Sequence, residues 1–252
     1  MTYRLVKVGE NILNADHTLE AKARILQAAR GLFSEKGYDA TRVHEIAAAA
    51  GVNKALIYYY FQNKEDILDS IIDSLMAGVY GITLDFVNNC IRAMIQENRL
   101  AIEGERFLFA DQEAVKYFKL KLNTYYADII DYALENRRVV RIVMLESLKG
   151  GKHRGSLFRI MELLDSGPES SLHGPGKAAD QDMNYHEDLV FFEFFFLVIP
   201  LLSMAAFHDE YQEKSLLSEE RLKELALRSY AALAEGIGGR HIAVATDGPA
   251  GR

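Results

Sequence analysis

The stretch TRVHEIAAAAGVNKALIYYYF, residues 41–61, decides the fold, because it predicts two short helices joined by a tight turn. In the first helix, apolar residues recur at intervals of three and four, which places them on one face. Gly51 is expected to end this helix, since glycine adopts a left-handed backbone without steric cost. Thr41 is the expected N-cap of the first helix and Asn53 that of the second. Two helices around such a turn form a helix-turn-helix, whose second helix lies in the major groove in DNA-binding proteins.

The outer face of the second helix carries groups suited to DNA. With Ile57 pointing inward, a rotation of 100° per residue defines that face. The residues that point outward or lie on its flanks are Ala55, Leu56, Tyr58, Tyr59 and Gln62. Lys54 in the first turn, and Lys64 in the next helix after an expected Asn63 N-cap, add ammonium groups that suit phosphate oxygens. A small residue at position 55 lets the helix approach base edges closely.

These residues resemble the DNA-binding domain of the TetR (tetracycline-repressor-like) family of bacterial transcriptional regulators. The resemblance runs over residues 18–75, about the first third of the chain. The matching positions are 25–29, 32–33, 36–41, 46–47, 50–52, 54, 58–61 and 63–65. Leu56 departs from the family, which most often has a hydroxyl residue there. The base preference of a relative therefore does not carry over to this chain.

The resemblance implies an all-α fold with about nine to ten helices, in which a three-helix helix-turn-helix head precedes a larger helical body for ligand binding and dimerisation. The expected divisions are a flexible arm over 1–17, the head over 18–78, the body over 79–236 and a disordered tail over 237–252. Thr18 is the expected cap of the first helix, which Gly37 ends. The expected DNA-contacting residues are Arg42, His44, Asn53, Lys54, Ala55, Leu56, Tyr58, Tyr59 and Lys64. His44 is equally plausible as an ordinary surface histidine.

Composition and charge placement agree with a soluble helical DNA-binding protein. Of 252 residues, 49% are hydrophobic and 26% charged, and the formal net charge is −7. Residues 18–64 nevertheless hold seven basic and four acidic side chains, a net charge of +3 that leaves −10 for the rest. A basic head on an acidic body orients the approach to DNA. The single cysteine, Cys90, fits a reducing cytoplasm and is expected to be a small buried side chain.

The body is expected to be helical and to enclose a largely apolar ligand pocket. Helices are predicted over 82–95, 107–118 and 122–148, with Gly81 and Gly104 between elements and a fourth helix running from Lys64 toward Gly78. The pocket is expected among the frequent aromatic residues of this region. Its candidate residues are Phe86, Phe107, Phe109, Tyr125, Tyr126, Ile129, Phe191 and Glu193. For Glu193, contact with a ligand and pairing with an internal arginine are both open. The segment KGGKHR, 149–154, is expected to be a solvated loop, with a second phosphate contact as the alternative.

The most apolar run, residues 189–207, is expected to be a core or dimer helix rather than a membrane span. Glu193 within it, acidic flanks without a basic anchor, and Pro200, which would kink the helix, all oppose a span. Ser218 is the expected cap of a final helix that ends near Gly236. The resemblance implies a homodimer built from the last two long helices. The candidate interface residues are Phe195, Ile199, Leu202, Leu225 and Tyr230.

The pattern indicates a regulator and not an enzyme. The seven histidines are scattered, and neither a metal-binding nor a nucleophile motif occurs, so no catalytic residue, metal or cofactor is expected. We expect a cytoplasmic transcriptional repressor that binds a palindromic operator in double-stranded DNA and is released by a small, largely apolar ligand. The alternative is a ligand-independent DNA-binding dimer whose body recruits a protein partner.

Overall fold

A computed structural model describes residues 2–103, 106–159, 191, 193–238 and 242–244 of the chain. The chain divides into two compact units. The first contains residues 1–75 and 138–154, and the second contains residues 76–137 and 155–252. Two helices, Lys64–Phe86 and Arg137–Leu148, contribute residues to both units. The functional boundaries expected from the sequence, at 17/18, 78/79 and 236/237, remain predictions.

The first unit is built from helices that close on one apolar core. Its elements are α1 (Thr2–Lys36), α2 (Val43–Ala50), α3 (Lys54–Tyr60), the first part of α4 (Lys64–Phe86) and nearly all of α7 (Arg137–Leu148). The largest fully buried side chains in it are Ile25, Phe33, Ile46, Ile57, Phe61, Ile67, Leu68, Ile71 and Ile72. The apolar face expected on α2 therefore does face this core, and α1 and α4 contribute to it as well.

Of the helix caps predicted in the first unit, the C-cap of α2 at Gly51 is correct, and the N-caps at Thr18 and Thr41 are wrong. Gly51 has the left-handed backbone expected of it, with φ of 64°. Thr41 does not cap α2, because its buried hydroxyl donates to the carbonyl of Gly37 at 2.8 Å instead. Arg42 holds the N-cap position, and its backbone N–H donates to the Glu45 carboxylate at 2.7 Å. Thr18 does not cap α1 either, since that helix begins at Thr2.

The second unit is also mostly helical but contains a small sheet. After α4 the chain continues as a π-helical segment, Val87–Arg92, and α5, Ala93–Gln96. The later elements are β1 (Leu100–Glu103), β2 (Arg106–Phe109), α6 (Gln112–Glu135), a 3₁₀ turn (Ser156–Phe158), a second π-helical segment (Glu193–Val198), α8 (Ile199–Ala206), α9 (His208–Ser215), α10 (Glu219–Gly238) and β3 (Ile242–Val244). Strand β2 pairs antiparallel with β1 and parallel with β3. The expected all-α class is confirmed as the dominant architecture, and the sheet is an addition to it.

Several expected boundaries in the body are wrong, each for a local reason. Gly78 and Gly81 lie inside α4 rather than between helices, and Phe107 lies in β2 rather than in a helix. At Gly78 a β-carbon would stand 2.0 Å from the Tyr132 hydroxyl, so this glycine permits close packing and does not break the helix. The helix expected over 122–148 is interrupted at Asn136, between α6 and α7.

The end of the chain agrees in part with expectation. The Ser218 hydroxyl accepts a hydrogen bond from the Arg221 backbone N–H at 3.2 Å, as an N-cap should. However, α10 continues to Gly238, and β3 lies within the stretch expected to be a disordered tail. Pro200 stands in the first turn of α8, directly after the π-helical segment, where its missing N–H disrupts little. Gly104 and the loop expected over 166–182 lie outside the described residues.

One helix of the described part, Lys64–Gln96, is long and apolar enough to cross a membrane by length and composition alone. The pair Glu193–Ala206 and His208–Ser215 passes the same test only jointly and is bent by 68°. The beginning of the long helix buries Ile71 and Ile72 completely. One third of the apolar window of this helix is buried within the chain.

Candidate nucleic-acid interface

Helix α3 is positioned by a turn and a cap that the local sequence specifies. Gly51 directs the chain out of α2, and the Val52 N–H closes the turn on the Ala47 carbonyl at 3.0 Å. The Asn53 side chain then accepts a hydrogen bond from the Leu56 N–H at 2.8 Å. Ile57 is 1% exposed and fixes the rotation of the helix against the core. Asn53, expected to contact DNA, is thus used as the N-cap of α3.

The opposite face of α3 is open to solvent, as the sequence predicts. Tyr59 is 75% exposed and Tyr58 48% exposed, while Lys54 and Ala55 are exposed and Leu56 is half-buried. The Lys54 ammonium lies 5.6 Å from the centre of the Tyr58 ring. This face therefore combines one cation, two phenol hydroxyls and a small side chain, which can bind phosphate oxygens and approach base edges.

Helix α2 adds two exposed side chains to the candidate interface. Arg42, the N-cap of α2, and His44 in its first turn are both open to solvent. Glu45 in the same turn is paired with Lys36 at 2.5 Å. The hydrogen bond from Lys36, followed by that from the Arg42 backbone, holds the pKa of the Glu45 carboxyl below its usual range. The acid is therefore neutralised within the protein, while the Arg42 guanidinium is exposed to solvent.

Lys64 has a different environment from the one expected for a phosphate-binding lysine. Its ammonium donates to the carbonyls of Tyr38 at 2.8 Å, Thr41 at 3.0 Å and Asp39 at 3.4 Å. It also lies 4.2 Å from the centre of the Tyr38 ring. An ammonium group has three donors. All three are directed at the connection between α1 and α2, so the structure gives Lys64 a bracing role that the sequence did not indicate.

Residues 149–154 form a solvent-exposed loop, as expected, in which only His153 is buried, and its two lysines are ion-paired. Lys149 pairs with Asp39 at 2.9 Å and Glu146 at 2.6 Å, and Lys152 pairs with Asp69 at 2.8 Å. The nearby His153 is 8% exposed and lies 3.7 Å from carboxylate oxygens of both Glu65 and Asp69. The loop is thus packed against the α1–α2 connection and α4. The basic residues around two glycines indicate an exposed loop. They do not identify Asp39 and Asp69 as the partners of its lysines, because these acids are distant in the sequence.

Tyr38 lies at the centre of this cluster and remains protonated at neutral pH. Its ring packs edge-on against Phe33 at 5.3 Å and against His153 at 6.0 Å. Burial, and then the charges of Glu65, Glu146, Asp39 and Asp69, raise the pKa of Tyr38 to about 12. The hydroxyl is therefore a neutral group within the first unit.

The residues expected to line a ligand pocket are only partly brought together. Phe86 and Tyr125 stack at 4.8 Å and border a cavity of about 360 Å³ between α4 and α6. Polar side chains also border it, including Asp85, Asn89 and Lys121. The remaining expected residues do not border this cavity. Phe107 and Phe109 pack with the core around Phe118, and Tyr126 contacts the Tyr230 ring. Ile129 is half-buried, Phe191 is 57% exposed, and Glu193 is half-buried at the start of a π-helical segment.

The expected dimer-interface residues differ in their availability. Phe195 is 47% exposed, and Ile199 and Leu225 are half-buried. Leu202 and Tyr230 are each 7% exposed within the single chain. The Tyr230 hydroxyl donates to the Leu197 carbonyl, which joins α10 to the second π-helical segment. Leu202 and Tyr230 therefore pack in the core of the second unit.

Cys90 is buried as expected, and this burial raises the pKa of its thiol.

The first unit thus has the construction of a helix-turn-helix protein, with a capped and solvent-facing second helix. Residues 25–71 match the family described as "Bacterial regulatory proteins, tetR family". The chain therefore carries the helix-turn-helix domain of the TetR family of regulators, which confirms the resemblance seen in the sequence. The match concerns residues 25–71 alone.

Curated relatives match the same part of the chain. The biofilm operon icaADBC HTH-type negative transcriptional regulator IcaR of Staphylococcus aureus (strain Newman) is 33% identical over 89 residues, 35% of this chain and 44% of that protein. The IcaR of Staphylococcus epidermidis (strain ATCC 35984) is 40% identical over 53 residues, 21% of this chain and 29% of that protein. The chain thus matches less than half the length of these relatives.

Solved structures support the fold over most of the chain. A TetR-family transcriptional regulator from Mesorhizobium loti MAFF303099 has a TM-score of 0.53 at 19% identity, covering 87% of this chain and 97% of that one. A TetR family transcription regulator from Marinobacter aquaeolei VT8 has a TM-score of 0.51 at 15% identity, with the same coverage of both chains. At these identities the likeness concerns the fold alone, a helix-turn-helix head followed by a helical body.

Proposed function

We propose that this protein is a DNA-binding transcriptional repressor that acts as a homodimer on a palindromic operator in the cytoplasm. The observation that carries the proposal is the solvent-facing side of α3, where Lys54, Tyr58 and Tyr59 lie beside Ala55 on a helix fixed by Asn53 and Gly51. The staphylococcal relatives of this domain are negative regulators, which favours repression. Two copies of the domain about one DNA turn apart, roughly 34–36 Å, would read the two halves of a palindrome.

Each exposed side chain has a distinct part in the proposed complex. Lys54 and Tyr58, with Arg42 and His44 on α2, contact phosphate oxygens and set the register on the duplex. Ala55, Leu56 and Tyr59 face the base edges, where the apolar side chains suit thymine methyl groups. Asn53 and Lys64 support this arrangement from within, as the cap of α3 and the brace on the α1–α2 connection.

We further propose that a small, largely apolar ligand in the body releases the protein from DNA. The cavity at Phe86 and Tyr125 supports this, since it lies along α4, the helix that begins next to α3 in the chain. A ligand can shift the protein away from its DNA-binding form only if it binds the other form more tightly. The effector must therefore bind free protein more tightly than DNA-bound protein.

The DNA-binding part is tested by selecting bound fragments from a random DNA pool and then measuring affinity as a function of salt. Lys54→Ala should weaken binding to all sequences and reduce the salt slope by about 0.9. Tyr59→Ala should instead lose about 1–3 kcal/mol at particular base pairs. Lys116→Ala on α6, whose side chain is 71% exposed and paired with Glu113, is the matched control and should change neither quantity.

Failure to bind any oligonucleotide in dilute buffer would contradict the proposal. If the selected sites are not palindromic, or if the protein sediments as a monomer, the proposal that it acts as a homodimer is contradicted. Ligand release is tested by repeating the selection with a panel of apolar compounds that raise the melting temperature. If none reduces DNA binding, the ligand-independent dimer that recruits a protein partner becomes the better description.

A further inference from the structure

The second half of the loop formed by residues 149–154 is anchored on α4. His153 is 8% exposed, and each of its ring nitrogens lies 3.7 Å from a carboxylate oxygen, one belonging to Glu65 and one to Asp69. Lys152 also pairs with Asp69, at 2.8 Å. A network of several polar contacts restricts the groups that take part in it. The loop is therefore held against α4.

The first half of the loop reaches the α1–α2 connection, residues 37–42, through Lys149. Its ammonium donates to Asp39 at 2.9 Å and to the buried carboxylate of Glu146 at 2.6 Å. The hydrogen bond from Lys149 holds the pKa of the Asp39 carboxyl below its usual range, and the bonds to Glu146 and Asp39 raise the pKa of Lys149. Both groups are therefore charged at neutral pH. Because Glu146 fixes the lysine from the side of α7, Asp39 is tied to an ammonium with little freedom to move.

Asp39 lies three residues before Arg42, the N-cap of α2, and the backbone between them is tightly closed. The Thr41 N–H donates to the Tyr38 carbonyl at 3.2 Å, which closes a turn around Asp39. The Thr41 hydroxyl donates to the Gly37 carbonyl at 2.8 Å. A displacement of Asp39 should therefore be passed on to Arg42. The exposed Arg42 is one of the phosphate contacts proposed above.

We infer that Lys149 and Asp39 are positioning residues for DNA binding, because their ion pair holds the α1–α2 connection where Arg42 meets a phosphate oxygen. Neither residue touches DNA. Lys64 restrains the backbone carbonyls of this connection, and Lys149 restrains its carboxylate. The inference rests on the proposed DNA binding and adds to it a control by the 149–154 loop. Displacing the loop should weaken DNA binding while α3 stays unchanged.

The test measures the affinity of the full chain for a DNA site selected from a random pool, before and after Asp39→Ala. The substitution removes a negative charge from the DNA-binding unit, so electrostatic repulsion alone predicts tighter binding. The loss of positioning predicts the opposite. We expect Kd to rise about 2- to 5-fold, a modest factor because the Asp39 side chain is 76% exposed and exposed ion pairs contribute little.

Glu35→Ala is the matched control. Glu35 is an exposed acid on α1 in the same unit and has no ion pair within the described residues. Its replacement removes the same charge without affecting the loop, so Kd should stay constant or fall. Lys149→Met breaks the ion pair from the other side and should raise Kd as Asp39→Ala does, whereas Lys149→Arg should retain the wild-type affinity.

Repeating Asp39→Ala in an Arg42→Ala background separates positioning from a general loss of stability. If Asp39 acts through Arg42, the added substitution should change Kd by less than about 1.5-fold in that background. A general loss of stability would lower the affinity equally in both backgrounds. Native-state hydrogen exchange at the amides of α1 and α2 shows whether each variant keeps the fold of the first unit. If Lys149→Met unfolds because Glu146 loses its partner, the Asp39→Ala comparison decides alone.

The outcomes distinguish this inference from the proposed function. A wild-type protein that binds no DNA contradicts the proposed function, and the inference with it. If the wild-type protein binds DNA, the inference alone is overturned when Asp39→Ala binds as tightly as the wild type or more tightly. It is also overturned when the effect of Asp39→Ala is the same with and without the Arg42 side chain.

Discussion

Replacing Lys64 with methionine is expected to destabilise the first unit in the absence of any DNA. The substitution keeps most of the apolar stem and removes the ammonium that donates to the carbonyls of Tyr38, Asp39 and Thr41. Hydrogen bonds from a charged donor contribute about 1.5–3 kcal/mol net. The contact with the Tyr38 ring adds about 0.5–1 kcal/mol for a partly exposed pair. We therefore expect a loss of about 2–4 kcal/mol in the free energy of unfolding of this unit.

The measurement must report on the first unit alone, because a chain with two compact units need not unfold in a single step. Native-state hydrogen exchange at the backbone amides of α1 and α2 gives the free energy of opening for this unit. Lys54→Met is the matched control. Its ammonium is exposed and contacts only the Tyr58 ring in the described part of the chain, so the change should stay within about 0.5 kcal/mol.

Equal opening energies in the Lys64 and Lys54 variants would refute the bracing role of Lys64. The three carbonyl contacts would then contribute nothing measurable, and Lys64 would be free to serve as the phosphate contact expected from the sequence. In that case Lys64→Met should weaken DNA binding with an unchanged fold and a smaller salt slope.

Three further predictions concern glycine positions and a half-buried phenol. Gly78→Ala should lower the stability of the second unit by about 1–3 kcal/mol, because the added methyl group would clash with Tyr132. Gly81→Ala has open space around it and should raise the stability of this unit by about 0.5–1 kcal/mol. Equal melting temperatures for the two variants would contradict this prediction. Gly51→Ala should cost about 1–2 kcal/mol in thermal unfolding, because alanine at a φ of 64° is strained. Tyr38 should ionise near pH 12 when its ultraviolet absorbance is followed. Because its pKa is raised in the folded state, its contribution to the free energy of unfolding is complete below about pH 10 and is lost as the pH rises towards 12. A midpoint near pH 10 would show that the phenol is not shielded from water.

The helix-turn-helix could be predicted from sequence because its determinants are local. The cap at Asn53 acts over three residues, and Gly51 ends α2 through its own backbone angles. The inward position of Ile57 follows from the helical repeat alone. These signals occur within one stretch and agree with one another, which is why the exposed face of α3 was assigned correctly.

The remaining features depend on contacts between distant residues, which a single sequence does not encode in a readable form. Lys149 and Asp39 are 110 positions apart, and Lys64 reaches carbonyl groups 23–26 residues earlier. Phe107 carries an aromatic side chain common to strands and helices, and its assignment to β2 depends on pairing with Ile102 and Ile242.

The ion-paired loop has a consequence for anyone who wishes to excise the helix-turn-helix as a fragment. Residues 138–154 belong to the same compact unit as residues 1–75, although about sixty residues separate them in the chain. A peptide ending at position 78 would leave Glu65 and Asp69 without Lys152, and Asp39 without Lys149. Such a truncated piece should melt earlier than the intact protein does, and supplying the missing peptide in trans should restore part of the difference.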